Sequence, residues 1–305
     1  MRYLDPKNDL VFKRIFGEHP ELVKSLLNAL MPLEEGQQID KVEYLTPEMV
    51  PEIPGLKDSI VDVRCVDNRG RHFIVEMQML WTPSFQARVL FNASKAFVRQ
   101  LDRGRKYASL QPVYALSLVD DIFVKGSEDF YHHYSIVNIV EPEQKLEGLE
   151  FVFIELPKFK PEHFRDKRMA VLWLRFLTEI KDGAESVPQG LTAENEIVKA
   201  LEILQESAFS KNELGVYERI WDKISTERTL VSERTLLARE EALREGREEG
   251  RAEGRAEGRE EGVDIGLVKG FKQIVDYMES QGRSLGEISE MTGLSIDEIE
   301  KLLNK

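Results

Sequence analysis

Residues 59–79 read Ser59-Ile-Val-Asp62-Val-Arg-Cys-Val66, Asp67-Asn-Arg-Gly70 and Arg71-His-Phe-Ile-Val-Glu76-Met-Gln78-Met79, and this stretch decides the fold. Both arms are rich in β-branched and apolar residues, and a turn-forming cluster separates them, which predicts a β-hairpin. Each arm also carries one acid, Asp62 or Glu76, where a sheet favours a hydrophobic residue. Buried acids are costly unless they are compensated, and a divalent cation is the usual compensation. The hairpin is therefore a candidate metal site.

The turn predicts the register of the hairpin. Glu76 and Gln78 are two residues apart and share one face of their strand. If Asp62 lies opposite Glu76 on that face, Asp67 pairs with Arg71 and a three-residue loop remains. Such a loop requires a left-handed residue at its third position, and Gly70 occupies it. Turn chemistry and the metal hypothesis thus select the same pairing.

Composition limits the class of protein. The 305 residues are 42% hydrophobic, contain no apolar run of membrane-spanning length and begin without a signal-peptide pattern, so we expect a cytoplasmic protein. The single cysteine, Cys65, excludes an intrachain disulfide and a multi-cysteine zinc site. The net charge of −13 argues against indiscriminate binding to nucleic acid.

A local basic segment runs against this acidic background. Between Trp81 and Tyr107 the chain carries six basic residues and one acid. Arg88, Lys95 and Arg99 recur at spacings of seven and four, on one face of a helix predicted over residues 85–103. This face is either a solvated surface or a phosphate-binding stripe.

The remaining pattern predicts an α/β core with a mixed sheet. Apolar spacing indicates two N-terminal helices, and short β-branched or apolar runs indicate four further strands around the hairpin and the basic helix. We predict the helices at 10–16 and 21–31, and the strands at 41–45, 112–119, 135–140 and 150–156.

The C-terminal half is predicted to be helical and to fall into three parts. Residues 161–228 form a helical extension, residues 229–280 form a long charged helix or linker, and residues 281–305 form a small helical hairpin with two capping boxes. In the middle part, glycine recurs at every fourth residue from Gly246 through Gly270. Each glycine costs about 1 kcal/mol in a helix, so the repeat is either a self-associating helix or a flexible linker.

With these residues in view, the chain resembles the PD-(D/E)XK nuclease family transposases, also called Rpn or recombination-promoting nucleases. The resemblance covers roughly residues 1–156, which we therefore take as a nuclease-like domain over residues 1–160. The residues that carry it are Asp5-Pro-Lys-Asn-Asp9-Leu-Val-Phe12-Lys13-Arg-Ile-Phe-Gly17, Lys57-Asp-Ser-Ile-Val-Asp62, Ile74-Val-Glu76-Met-Gln78, Arg88, Gly104, Tyr107 and Pro112.

This resemblance implies a restriction-endonuclease-like core and a DNA endonuclease that requires Mg²⁺, with Mn²⁺ as a substitute. It implies that Asp62, Glu76 and the backbone carbonyl of Met77 hold the metal. It further implies that Asp9 adds an acid from the first helix, and that Lys13 reaches a phosphate or pairs with Asp9.

Gln78 departs from the superfamily pattern, which most often has lysine at this position. Glutamine neither acts as a base near neutral pH nor supplies positive charge, but it can orient a water or bind a phosphate oxygen.

Three functional hypotheses follow from the sequence. The first is a DNA endonuclease connected with DNA breakage, recombination or transposition, which self-associates through its C-terminal helical region. The second is a DNA-binding or scaffolding protein that keeps the nuclease fold with a degraded site. In the third and weaker one, the tail is the working part, as a coiled assembly platform.

Overall fold

The computed structural model describes residues 1–49, 59–101, 106–161 and 168–303. Its centre is a six-stranded mixed sheet in the spatial order β1-β4-β5-β6-β8-β7, beside a separate two-stranded sheet of β2 and β3. β5 pairs with β6 and β6 with β8 in parallel, and the other pairs are antiparallel. The strands are β1 Val42–Tyr44, β2 Glu48–Met49, β3 Ser59–Ile60, β4 Val63–Asp67, β5 His72–Gln78, β6 Val113–Val119, β7 Tyr131–Val137 and β8 Lys145–Glu155.

Helices cover both faces of the sheet, as expected for an α/β fold. The larger hydrophobic core joins one face to five of these helices, and it includes Phe12, Leu26, Trp173, Leu201 and Tyr217. Of the helices that the structure describes, only α3 contributes to the smaller core, on the other face. The helices are α1 Asp9–Glu18, α2 Pro20–Leu30, α3 Pro83–Val98, α4 Arg168–Glu179, α5 Asn195–Ile203, α6 Lys211–Ser280, α7 Leu285–Thr292 and α8 Ile296–Leu303.

The predicted hairpin register is confirmed. Val63 pairs with Val75 and Val66 with His72, which is the register that places Asp62 and Glu76 level with each other. The Asp67 N–H donates to the Arg71 carbonyl at 3.1 Å, and Gly70 has φ of +80° at the third position of the loop. The buried Asp67 carboxylate also accepts hydrogen bonds from the backbone and side chain of Arg71, which fixes the turn.

The first arm of the hairpin is interrupted, although the sequence predicted one strand over residues 59–66. β3 ends at Ile60, β4 begins at Val63, and a bend lies between them at Asp62. Val61 packs into the smaller core, whereas Val63 packs into the larger one on the opposite face. Since residues two apart in a regular strand share a face, the chain must turn over at Asp62.

The other predicted elements are present with shifted ends. α3 begins at Pro83, where Thr82 caps it through the Phe85 N–H, and it ends at Val98 rather than continuing to residue 103. Residues 102–105, which hold Arg103 and Gly104, lie outside the described residues. The strands β7 and β8 begin before their predicted positions, at Tyr131 and Lys145.

The chain divides into two compact units, Met1–Arg228 and Thr229–Lys305. Residues 161–228, which we predicted as a separate helical extension, lie inside the first unit.

The glycine repeat is helical throughout, as part of the 70-residue α6. In the second unit, a small core is formed by Val275 of α6, Ile288 of α7 and Ile299 of α8. The predicted capping box at Ser284 is present. Within the described residues, no helix is long and apolar enough to cross a membrane.

Candidate metal centre and nucleic-acid interface

Asp62 substitutes for a missing backbone partner of β5. The hydrogen-bonded pairs of the β4–β5 ladder alternate, so Val61 and Met77 would form the next one after Val63 and Val75. The Val61 N–H instead donates to the Pro47 carbonyl at 3.3 Å. The Met77 N–H donates to the Asp62 carboxylate at 2.8 Å. The bend thus brings the Asp62 side chain to the edge of β5.

Glu76 is a buried acid with one unsatisfied oxygen. Its side chain lies on the face covered by α3, where Oε1 accepts a hydrogen bond from the Asn92 amide at 3.1 Å. Oε2 is buried and has no hydrogen-bond partner among the described residues. Burial raises the pKa of Glu76, and Arg88, Asn92 and Lys13 only partly counteract it. A buried carboxylate oxygen without a partner leaves room for a positively charged ligand.

The pKa of Asp62 is raised to about 7, first by burial and then by the negative charge of Asp9. Glu76 adds to the rise, whereas Lys13 and the Met77 N–H oppose it. Two neighbouring acids therefore both resist ionisation in the absence of a cation. A bound divalent ion would reverse that balance, because it favours the charged form of each carboxylate.

Lys13 forms ion pairs with both Asp9 and Asp62. Its ammonium lies 2.8 Å from Asp9 Oδ1 and 3.4 Å from Asp62 Oδ1. Although burial lowers the pKa of Lys13, its bond to Asp9 and the charge of Asp62 raise that pKa overall. Of the two roles that the resemblance implied for Lys13, the geometry shows the pairing with Asp9.

Gln78 accepts a hydrogen bond from Arg88 of α3. Its amide nitrogen donates to the Leu80 carbonyl at 2.7 Å, and its amide oxygen accepts from Arg88 Nη2 at 3.0 Å. The Arg88 guanidinium also lies 5.1 Å from the centre of the Phe85 ring. Arg88 lowers the pKa of Glu76, so its charge acts on the site. Positive charge therefore comes from α3, where the superfamily pattern would supply it from β5.

The arrangement fits a divalent cation held by Asp62, Glu76 and a backbone carbonyl. Even-numbered residues of β5 bond towards β6, as the Gln78 carbonyl does with the Asp120 N–H, so Met77 directs its backbone groups towards the Asp62 side. Carboxylate and carbonyl oxygens are the ligands that Mg²⁺ takes. In the described part of the chain, no group of three or more His, Cys, Asp or Glu side chains could hold a metal ion, so the set contains only two acids.

The other predicted phosphate contacts lie further along α3. The Lys95 ammonium donates to the Met49 carbonyl, and it lies 5.6 Å from the centre of the Phe91 ring. Arg99 follows the end of the helix and lowers the pKa of Arg64, after the larger effect of burial. Arg88 is thus the residue of the predicted stripe that contacts the candidate centre.

Sequence reasoning missed two supports of this centre. Asn92 is 1% exposed and donates a hydrogen bond to Glu76. The sequence signal that could have identified it is a polar residue on the apolar face of α3. The second support is an ion pair of Lys7 with Asp120, at 2.9 Å, directly beyond the end of β6. Arg228 joins it through Asp120 at 3.3 Å and the Met79 carbonyl at 3.4 Å. Both fix the end of β5 that carries the candidate centre.

Comparison with known proteins identifies a family for most of the chain. No curated protein and no solved structure shows significant similarity to the chain. A family model described as PD-(D/E)XK nuclease family transposase matches residues 6–229, nearly the whole of the first compact unit. The matched region includes the mixed sheet, both acids, Gln78 and Arg88. The chain therefore belongs to the PD-(D/E)XK nuclease transposase family.

Proposed function

We propose that the chain is a Mg²⁺-dependent DNA endonuclease that acts in the cytoplasm in DNA breakage, recombination or transposition. The family supports nuclease-like chemistry. The observation that carries the metal dependence is the unpartnered Oε2 of Glu76, buried near Asp62, an acid whose pKa is raised to about 7. Mn²⁺ is expected to substitute, because it takes the same oxygen ligands.

In this proposal Asp62, Glu76 and the Met77 carbonyl hold the ion. When bound, the ion would lower the pKa of a water and stabilise charge on the scissile phosphate. Asn92 orients the Glu76 carboxylate by occupying Oε1, which leaves Oε2 for the metal. Lys13 offsets the charge of Asp9 and Asp62 until the ion arrives.

Gln78 and Arg88 take the place of the usual lysine. The Gln78 amide is bonded at both ends, so in this proposal it positions the Arg88 guanidinium. A guanidinium suits the binding of a phosphate, because its fork of N–H donors matches two oxygens. We propose that Lys95 and Arg99 extend this contact along the DNA backbone.

The nuclease proposal is tested by cleavage of supercoiled plasmid with Mg²⁺ or Mn²⁺. We expect Asp62→Asn and Glu76→Gln to lower the cleavage rate by roughly 100-fold or more, since even residues outside a ligand set typically cost 10- to 100-fold. The exposed acid Asp40 provides the matched control, and Asp40→Asn should cleave like wild type. Equal, negligible cleavage by wild type and Asp62→Asn would contradict the proposal.

That negative result would support a second function, a DNA-binding or scaffolding protein that keeps the fold. The observation in its favour is that Gln78 replaces lysine while the Lys13 ammonium lies 3.4 Å from Asp62. In that case gel-shift binding of DNA should be indifferent to Mg²⁺ and to Asp62→Asn.

We further propose that the tail associates with other copies of the chain. α6 continues through the glycine repeat as a helix, and it leaves several large apolar side chains in solvent. These are Leu230, Leu236, Leu237, Leu243, Val263 and Leu267, each 48–65% exposed. Along one helix, residues four apart in the repeat carry like charges, and a second helix can oppose its arginines to these glutamates.

A further inference from the structure

A cavity of about 540 Å³ lies at the carboxyl end of the parallel strands. Its walls are the first half of α3 and the side chains of five aromatic residues, namely Trp81, Phe123, Tyr134, Phe151 and Phe153. Cavities of this volume, lined by aromatic and aliphatic groups, are typical of small-molecule sites. The crevice beyond the carboxyl ends of strands is also where α/β folds usually bind ligands.

The aromatic walls are held in place by hydrogen bonds outside the cavity. The Trp81 and Phe123 rings stack with their centroids 3.8 Å apart, and Phe153 meets both rings edge-on. The backbone N–H of Trp81 donates to Asp121 Oδ2 at 2.9 Å. The fully buried Glu155 carboxylate accepts from the N–H groups of Phe123 and Val124. The cavity is therefore preorganised, which reduces the entropic cost of filling it.

The cavity and the candidate metal centre share one face of the sheet and are separated by α3. Arg88 and Asn92 extend from α3 towards β5, whereas Ala87 and Leu90 line the cavity on the side of β8. β5 and β8 are two strands apart in the sheet, or about 10 Å. A DNA strand that joins the two sites must also pass α3, which is about 10–12 Å wide with its side chains. Roughly two to three nucleotides cover this path, at up to ~7 Å between successive phosphates, about twice the 3.4 Å rise of stacked duplex.

The chemistry of the cavity selects the base of a nucleotide over its phosphate. None of the lining residues, all of which the structure describes, is charged. Among the lining residues, Trp81, Gln86 and Tyr134 have polar groups in their side chains, and Tyr134 is 49% exposed. A flat, uncharged ring that stacks on aromatic side chains and offers hydrogen bonds at its edge meets these conditions.

We propose that this cavity binds an unpaired nucleobase of the DNA strand whose phosphate lies at Asp62, Glu76 and Arg88. This inference rests on the proposed nuclease function and makes its substrate more specific, as single-stranded DNA or DNA with an extruded base. Burying one base in the cavity fixes the position of the strand relative to the candidate metal centre. In an intact duplex the bases are paired, so none of them can enter the cavity.

The test compares two labelled DNA 12-mers by fluorescence anisotropy, one of thymidines and one of abasic sites with the same phosphates. The full-length Asp62→Asn protein is used with Mg²⁺, so that binding is measured without cleavage. We expect the thymidine strand to bind about tenfold or more tightly than the abasic strand. Ala87→Trp, which fills the cavity from an exposed helix position, should reduce that ratio to near one.

Val98→Trp is the matched control, because Val98 is an exposed residue of the same helix that does not line the cavity. It should keep the full thymidine preference, and circular dichroism checks that both tryptophan variants are folded. Equal binding of the two strands, or a preference that survives Ala87→Trp, overturns the proposal. A change in solution mass caused by Ala87→Trp without a change in the ratio assigns the cavity to contacts between copies, which also overturns it.

A failure of the nuclease proposal gives a different result. In that case wild-type protein with Mg²⁺ or Mn²⁺ cleaves neither the plasmid nor the thymidine 12-mer, yet the thymidine preference and its loss in Ala87→Trp are still measurable. Conversely, cleavage by wild type together with equal binding of both strands refutes the nucleobase site alone.

Discussion

At the scale of single residues, Gln78 connects β5 to α3. Its carboxamide accepts from Arg88 and donates to the Leu80 carbonyl, so both of its polar atoms are used. A lysine here would match the superfamily pattern, but an ammonium cannot accept a hydrogen bond and would repel Arg88. Gln78 and Arg88 are hydrogen-bonded to each other, and we expect the contribution of each to cleavage to depend on the other.

We predict that Gln78→Lys lowers cleavage, although it restores the superfamily residue. The expected loss is roughly tenfold or more, because residues that orient a site group typically contribute 10- to 100-fold. In an Arg88→Ala background the same change should raise cleavage, since the new ammonium replaces the missing charge. Plasmid cleavage rates of the four proteins form a double-mutant cycle that measures this coupling.

Lys95→Ala is the control, because Lys95 lies on the same helix but contacts the Met49 carbonyl. The effect of Gln78→Lys should be the same with and without Lys95. Additive losses for Gln78→Lys and Arg88→Ala would show that the two residues act independently.

At the scale of elements, the hairpin could be predicted from sequence because its determinants are local. The spacing of Asp62, Glu76 and Gly70 fixed the register, and the φ of +80° at Gly70 agrees with it. The bend at Asp62 could not be predicted, because it depends on which core Val61 and Val63 enter, and both cores are built from distant parts of the chain.

Some residues of the candidate site could likewise be predicted from local sequence, whereas others depend on how distant elements pack. Asp62, Glu76 and Gln78 follow from strand patterns, but the role of Asn92 depends on how α3 lies across the sheet. The end of α3 at Val98 was also beyond local reasoning, since the apolar and basic periodicity continues past it.

We predict that Gly70→Val destabilises the protein by about 1–2 kcal/mol, the usual cost of a left-handed conformation for a residue with a side chain. A Cβ at this position would also lie 3.3 Å from the Gln111 side chain. Urea unfolding followed by circular dichroism gives the free energy of unfolding. Gly17→Ala is the matched control, because Gly17 lies in α1 and its Cβ would come no closer than 3.9 Å to Val63. An equal loss in both variants would show that the hairpin loop does not require glycine.

At the scale of the whole molecule, the first compact unit extends beyond the boundary that sequence resemblance suggested. The predicted nuclease-like domain ended at residue 160, whereas helices α4 and α5 and Tyr217 of α6 belong to the larger core. Trp173 is fully buried there, and removing such a side chain typically costs about 3–5 kcal/mol. Composition alone could not show this, because helices that pack on a sheet and helices that stand apart have similar amphipathic patterns.

We predict that a fragment of residues 1–228 unfolds cooperatively and that a fragment of residues 1–160 does not fold. Thermal unfolding followed by circular dichroism distinguishes the two outcomes. A cooperative transition for residues 1–160 would support the domain boundary at residue 160 that we predicted from the sequence.

The same fragment tests the proposed role of the tail. Light scattering should give a monomer mass for residues 1–228 and a multiple of the chain mass for the full-length protein. An unchanged number of copies would contradict self-association through the C-terminal helices.

The short loop at Gly70 also has a consequence for the order of folding. β4 and β5 meet through a three-residue loop and can pair within microseconds, whereas β6 must close over residues 79–112 before it pairs in parallel with β5. We therefore expect Asp62 and Glu76 to come together early, before α3 brings Asn92 and Arg88 to them. During that interval the newly formed hairpin would carry electrostatic repulsion between the carboxylates of Asp62 and Glu76. A divalent cation in the refolding medium would relieve that repulsion. The proposed catalytic ion would then also assist the chain in reaching its native state.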